Sequence, residues 1–474
     1  MRLPAVRDLA FTWWAAVAAL VPRLYVAIAW AREPVWDGHY YDYGAKRIAA
    51  GFGYSDDIIV GGATVWHPWC HYPVGYSGFL AGVYKLFGEG GHAGTIANAV
   101  VGALTVALVH RISLHMMTAG RARLAAVLCA LHPGLILYSA VLMTEPLAAA
   151  GPLLALWLAL RDRGAHALRG AILSGVVLGL STLVHPQSIL LAPALGIALV
   201  ARPGLASWRA LVARTALVSA CALAVVAPWT IRNCRVMDGC AFVSTNGGWN
   251  LAIGAFSRAT GRFETLRASD GCEVVTGQVQ QDRCWAKAGY EAIRRDPWRW
   301  IRLAPRKLAY TFDHESFPVE YLREADPQAW PEPRRVRWRG LLTAAHRLLL
   351  SVAVFGFVAR ASRGWRAVAW ETALLSASAG LVAWAYSDDI PTFYPLAMAL
   401  PVMGMIPRPS APYRGPVGSF VVLSFVAVLV THVVFFGEDR YHMVLSPLLC
   451  VMAAAALRVP QNVDPVLQGA RGSA

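Results

Sequence analysis

Charge is scarce in this chain of 474 residues: only 15% are charged, and lysine is confined to Lys46, Lys85, Lys287 and Lys307. A soluble domain carries roughly 25% charged residues. With 57% hydrophobic residues, 18 Trp and a mean hydropathy of +0.45, an ordinary soluble protein is excluded and a bilayer must be the main solvent. Negative charge is the scarcer sign, 28 Asp and Glu against 43 Lys and Arg, for a formal net charge of +15. An excess carried by arginine suits anionic lipid head groups or phosphorylated substrates. Nucleic acid is not an expected partner. No Cys-x-x-Cys pair occurs, which argues against a thiolate zinc site. Internal repeats and low-complexity linkers are also missing.

Apolar runs fill the gap. About twelve are long enough, or nearly so, to cross the hydrocarbon core: residues 9–30, 93–110, 122–140, 143–160, 168–184, 188–201, 211–229, 341–359, 367–385, 391–406, 417–436 and 443–458. The first follows Arg2 and Arg7 without a small-residue cleavage site, so it reads as a retained span with a cytoplasmic amino terminus. Alternate connections carry Arg111, Arg121 and Arg123; Arg161, Arg163 and Arg169; Arg202, Arg209 and Arg214; Arg360, Arg363 and Arg366; Arg408 and Arg414; and Arg458. Arginine retained on the cytoplasmic side places every second connection inside. The intervening short ones hold His132, Glu145, His185, Gln187, Asp388, Asp389, Glu438, Asp439 and His442, with Arg440 their one basic residue.

Four units follow. Residues 1–230 form an amino-terminal membrane module whose first outer loop, 31–91, has two helix-like stretches near 40–50 and 76–87. Residues 231–339 form a long extracytoplasmic segment rich in Arg and Trp, which long loops tolerate. Residues 340–458 return to the membrane, and 459–474 form a short cytoplasmic tail. Five of eight cysteines fall in the outer segments, where an oxidising compartment permits disulfides. Cys234 with Cys240 and Cys272 with Cys284 are the economical pairings, leaving Cys70 over, although spacing alone leaves connectivity open.

Ionisable groups gather at the outer ends of the spans, and several motifs stand there in order. Asp37-Gly-His-Tyr-Tyr-Asp-Tyr-Gly-Ala45 runs on to Gly51-Phe-Gly-Tyr54, followed by His71-Tyr-Pro-Val-Gly-Tyr76 and Thr144-Glu-Pro146. Pro228-Trp-Thr-Ile-Arg-Asn233, Ser244-Thr-Asn-Gly-Gly-Trp-Asn250 and Arg440-Tyr-His442 complete the series. Together these resemble the GT-C membrane glycosyltransferases, in the bacterial branch related to protein O-mannosyltransferases and lipid A aminoarabinose transferases (glycosyltransferase family 39-like).

The resemblance implies an all-α polytopic fold of about twelve spans with a mixed extracytoplasmic layer. It also implies transfer of a sugar from a polyprenyl-phosphate donor to an extracytoplasmic glycan, lipid or protein, at the outer face of a bacterial inner membrane. Asp37 is then the general base that takes the acceptor proton. The plainer role for an Asp at this place is to cap the following helix. Tyr41, His71, Tyr76, Glu145, Arg232, Asn233, Asn246, Arg440, Tyr441 and His442 are the expected substrate-binding residues. Arg232 and Arg440 offer planar guanidinium forks to the leaving phosphate, and Lys307, in an expected interfacial helix of the long segment, is a further candidate for clamping the donor.

No cofactor is required by this chemistry, although Asp56 and Asp57 would suit a divalent cation if one were used. Gly51-x-Gly53 lacks the strand that frames a nucleotide loop, so a soluble sugar nucleotide is not the expected donor. Two other readings fit a chain of many spans. An O-antigen-type ligase or polymerase would also carry a large Arg-rich outer loop, but leaves the Asp37 motif unexplained. A transporter or lipid flippase would place polar groups near mid-membrane and show related halves, which this sequence does not.

Overall fold

The computed structural model describes residues 6–162, 166–200, 208–273, 277–355, 365–388, 393–405 and 415–457. The tail from 459 onward, Asp389, and the connections with Arg163, Arg202, Arg360, Arg363, Arg408, Arg414 and Arg458 lie outside these residues.

Within the described residues, each of the predicted membrane segments falls largely on helix. Among the described residues, six helices are long and apolar enough to cross a bilayer: Val6–Ala29, Ala93–Ser113, Ala167–Val184, Trp208–Val236, Val368–Ala385 and Pro416–Val434. Ala119–Leu131 and Pro133–Ala140, bent by 53°, raise the count to seven if taken as one span. The other predicted segments are shorter or more polar helices. Prolines mark several of the breaks, being favoured in a first helical turn, although Pro22 and Pro228 lie inside unbroken spans. Pro133, Pro146, Pro186 and Pro447 each open a new helical segment inside or at the start of an apolar run.

Small residues let these helices approach closely. Gly175 and Gly179 form a Gly-x-x-x-Gly face on Ala167–Val184. A Cβ at Gly175 would stand 2.6 Å from the Cys221 Cβ, and one at Gly179 would stand 2.6 Å from the Ala222 carbonyl oxygen. Close backbone approach of this kind is the usual source of helix association in lipid. Arg23, inside the first span, is fully buried. It donates to the carbonyls of Ala19, Ala130 and Cys129, two of them at the end of Ala119–Leu131 where helical acceptors have no partner of their own.

The segment between the first two spans is mixed, as expected. Helix Trp36–Ala49 is followed by an antiparallel hairpin, Ser55–Val60 with Ala63–Pro68, and by helix Val74–Phe87. Gly61 and Gly62, at φ +59° and +84°, make its two-residue turn, a conformation that matches strand twist and favours glycine. Asp56 pairs with His67 at 2.7 Å and Asp57 with Arg47 at 2.7 Å, on opposite faces of one strand. The two carboxylates therefore do not converge on a shared cation, which corrects that expectation.

The long segment packs onto this first one. The Trp208–Val236 helix runs past the expected boundary at 230, and Glu332–Phe355 begins before 340. Between them, Val319, Tyr321, Leu322 and Trp330 join Tyr41, Ala45, Tyr76 and Leu80 in one apolar cluster. Gln278 accepts from the Cys70 N–H and donates to the Pro68 carbonyl, and Thr245 N–H donates to the Cys70 carbonyl. Disulfides link Cys234 to Cys240 and Cys272 to Cys284. Non-reduced peptide mapping should recover both bridges and a free Cys70 thiol. A bridge that includes Cys70 would contradict this arrangement.

Candidate active site

Trp36 is the only described non-glycine residue with positive φ, at +50°, and it stands immediately before Asp37. Such a conformation costs a bulky residue on the order of 1–3 kcal/mol and persists only where surroundings impose it. Here the long segment supplies them. The Trp36 ring packs edge-on to Tyr321 at 5.9 Å and against Phe317 at 5.6 Å, and the Val35 N–H donates to the Tyr321 hydroxyl. Asp37 is consequently in the first helical turn rather than at the cap, a place held by Val35. The capping role is thereby excluded.

The Asp37 carboxylate is held at both oxygens. Oδ1 accepts from the Tyr72 hydroxyl at 3.0 Å, and Oδ2 accepts from the Arg440 guanidinium at 2.6 Å, across 403 positions of sequence. A carboxylate offers about four lone-pair sites, so acceptor capacity remains for a substrate hydroxyl. Arg440 also pairs with Glu438 at 2.9 Å and donates to the Tyr441 hydroxyl at 3.3 Å, with its face over the Phe317 and Tyr441 rings. The next residue, Asp439, accepts from the Ser316 and Phe317 backbone and from the Ser316 hydroxyl. The turn carrying Arg440 is thus anchored to the long segment.

Asp37 and Arg440 open onto a cavity of about 370 Å³, within the usual size of a small-molecule site. Of the predicted residues, Asp37, Tyr41, His71, Glu145, Asn246, Arg440 and Tyr441 line it. His71 is kept below its ordinary pKa by burial, an effect the Asp37 charge opposes. The Tyr72 hydroxyl is held strongly protonated by burial and by the neighbouring Asp37 carboxylate. Burial also raises the pKa of Glu438.

Four expected residues lie outside the cavity. The Tyr76 hydroxyl is buried in the core, where Asn98 donates to it at 2.8 Å. Arg232 donates to the Trp69 and Tyr54 carbonyls at 2.7 and 2.8 Å and stacks over Trp229, so its fork is occupied by backbone. Asn233 donates to the Ala241 and Val243 carbonyls. His442, fully buried, faces Thr311 and Glu315 instead. Lys307 is likewise committed: its ammonium caps the Val433 and Val434 carbonyls, and burial pushes its pKa down to about 7. Arg232→Ala should therefore destabilise the fold by about 2 kcal/mol, the usual order for losing hydrogen bonds from a charged donor. Thermal unfolding checks this, and weakened binding of a lipid-phosphate donor with unchanged stability would oppose it.

The expected substrate-binding residues do not include Tyr72, Thr144, Trp249, Asn250 and His432, which also line the cavity, nor His185 and Gln187, which the sequence places only at an outer connection. Tyr72 was within reach, since it stands inside the His71–Tyr76 motif. Thr144, Trp249 and Asn250 likewise stand inside motifs of the series, whereas His432 gave no signal short of its convergence with the rest in space.

Helical spans, an extramembrane layer and a cavity where an acid meets an arginine together describe a polytopic membrane protein with a polar site among its outer segments. Residues 71–231, about a third of the chain, match the family model described as dolichyl-phosphate-mannose-protein mannosyltransferase. No curated protein matches the sequence significantly. Among solved structures, the apo oligosaccharyltransferase of Archaeoglobus fulgidus is similar over 94% of this chain and 50% of its own, at 12% identity and a TM-score of 0.49. The chain thus spans about half the length of that protein. ArnT from Cupriavidus metallidurans, bound to undecaprenyl phosphate, is similar over 94% of this chain and 77% of its own, at 16% identity and a TM-score of 0.39.

Proposed function

We propose that this protein transfers a sugar from a polyprenyl-phosphate donor to a hydroxyl-bearing acceptor, with Asp37 as general base and Arg440 as the contact for the leaving phosphate. The observation that carries this reading is the meeting of Asp37 and Arg440, 2.6 Å apart, at one cavity. Sugar transfer needs a base for the acceptor proton and positive charge for the phosphate, and the leaving phosphate needs no protein acid. A second, apolar cavity of about 40 Å³, room for little more than a water-sized group, adjoins the first at His185 and Gln187. Arg440 replaces the pair first expected, since Arg232 is held elsewhere.

The site faces the extracytoplasmic side of a bacterial plasma membrane in this reading, by the arginine alternation of the connections. A cysteine introduced at Ser269 should then react with an impermeant thiol reagent in intact cells. Protection of that position until the cells are permeabilised would reverse the orientation. The reaction itself is tested by incubating purified protein with a panel of polyprenyl-phosphate sugars. Transfer to an acceptor, or slow hydrolysis of one donor, is expected. Turnover of a soluble nucleotide sugar with every lipid donor left intact would overturn the proposal.

A further inference from the structure

Behind the Arg440 turn lies a second cluster of ionisable side chains that does not open onto the cavity. Glu315, His346 and His442 each offer one ligand atom, all within 4.8 Å of one another, and their exposure is 1%, 0% and 0%. They come from three elements: the stretch after helix Pro297–Phe312, the helix Glu332–Phe355, and the short 3-10 helix Asp439–Leu445.

The backbone fixes how each ring points. One nitrogen of His442, Nδ1, donates to the Thr311 carbonyl at 2.6 Å, which leaves the Nε2 lone pair facing the Glu315 carboxylate at 3.4 Å. His346 Nε2 donates to the Phe312 carbonyl at 2.9 Å, leaving Nδ1 with no protein partner. The second Glu315 oxygen, Oε1, is also buried and without a partner. Three acceptor atoms therefore converge with no hydrogen bond donor between them. Leaving such groups unsatisfied in the interior is unfavourable. A proton on His442 would settle its contact with Glu315 alone and leave His346 Nδ1 and Glu315 Oε1 unmatched.

We infer that Glu315, His346 and His442 bind one divalent transition-metal cation of the zinc type. Two imidazoles and a carboxylate form a donor set suited to such a cation rather than to calcium or magnesium, which take oxygen ligands. Tetrahedral bonds of about 2.1 Å place ligand atoms about 3.4 Å apart, the separation seen between His442 and Glu315. A metal-bound histidine commonly donates its other ring N–H to a carbonyl, which fixes the tautomer, and both rings here do so. The cation bridges three elements, and His442 is two residues from Arg440 on the same 3-10 helix. Its role is to position that helix, and with it the guanidinium that meets Asp37. The assignment is independent of which donor the cavity takes.

The test is the metal content of the full-length protein, purified without chelator and dialysed against metal-free buffer. About one equivalent of zinc per chain is expected by elemental analysis. Exchange with cobalt(II) should give the visible absorption of a low-coordinate site, and zinc should raise the thermal midpoint of the stripped wild type. Glu315→Gln and His346→Gln should each weaken retention by tenfold or more. Wild-type protein that neither holds zinc nor takes up cobalt would overturn the site without recourse to any variant. Equal retention by wild type and a folded Glu315→Gln/His346→Gln double variant would place the metal elsewhere and overturn it too.

Discussion

Asp37→Asn should lower sugar transfer by about 10² to 10⁴-fold, the range that a positioned general base contributes, while affinity for the lipid-phosphate donor changes little. Asparagine keeps the size of aspartate and its amide oxygen still accepts from Tyr72, so the surrounding geometry is preserved. What disappears is the basic oxygen available to a substrate hydroxyl, together with the charge paired to Arg440. Released from that partner, Arg440 should bind a phosphate at least as well as before. Turnover and donor binding must therefore be measured separately on the same preparation. Near-normal turnover by a folded Asp37→Asn protein would remove Asp37 from the chemistry.

Arg440→Ala should show the complementary pattern, with loss in both measurements. A charged hydrogen bond to phosphate contributes about 1.5–3 kcal/mol, so donor affinity should fall by about 10- to 150-fold. Turnover should fall further, because Asp37 Oδ2 loses its partner and Glu438 loses its pairing cation. Arg440→Lys should recover only part of the loss, since an ammonium restores charge without the planar fork that spans several partners. Equilibrium binding of a polyprenyl phosphate to the two variants separates these cases. Unchanged donor affinity in Arg440→Ala would leave the phosphate without its proposed contact.

The contrast between Arg440 and Arg232 shows how far the sequence could be read. Both are arginines beside Tyr or Trp in short motifs near the ends of spans. What separates them is the partner each meets: backbone carbonyls of Tyr54 and Trp69 for Arg232, and a carboxylate on a cavity wall for Arg440. Those partners lie 163 to 403 positions away in sequence, and no local pattern encodes them. The place of Asp37 on the cavity wall is signalled in the sequence by the acidic, aromatic and glycine neighbours that form one continuous motif with it. The cluster of Glu315, His346 and His442 was not, because no two of its members share the short spacing by which metal ligands are recognised.

The fold divides along the same line. Hydropathy located the membrane helices well, since burial in lipid is written into composition over about twenty residues. Six or seven of the described helices are long and apolar enough to cross by themselves, and Pro133, Pro146 and Pro186 stand where apolar runs divide into shorter helices without lowering their hydropathy. The hairpin around Gly61 and Gly62 carries a two-residue turn signal flanked by Ile58, Ile59, Val60 and Val65. It is only six residues to a strand and largely exposed, so little apolar patterning marks it.

The central claim is that base and phosphate contact act together in one cavity. A structure of the wild-type protein bound to a polyprenyl phosphate tests it most directly. The phosphate should lie in the Asp37 cavity within hydrogen-bonding distance of the Arg440 guanidinium. A phosphate seated at Arg232 or Lys307, or anywhere outside the Asp37 cavity, would contradict the account.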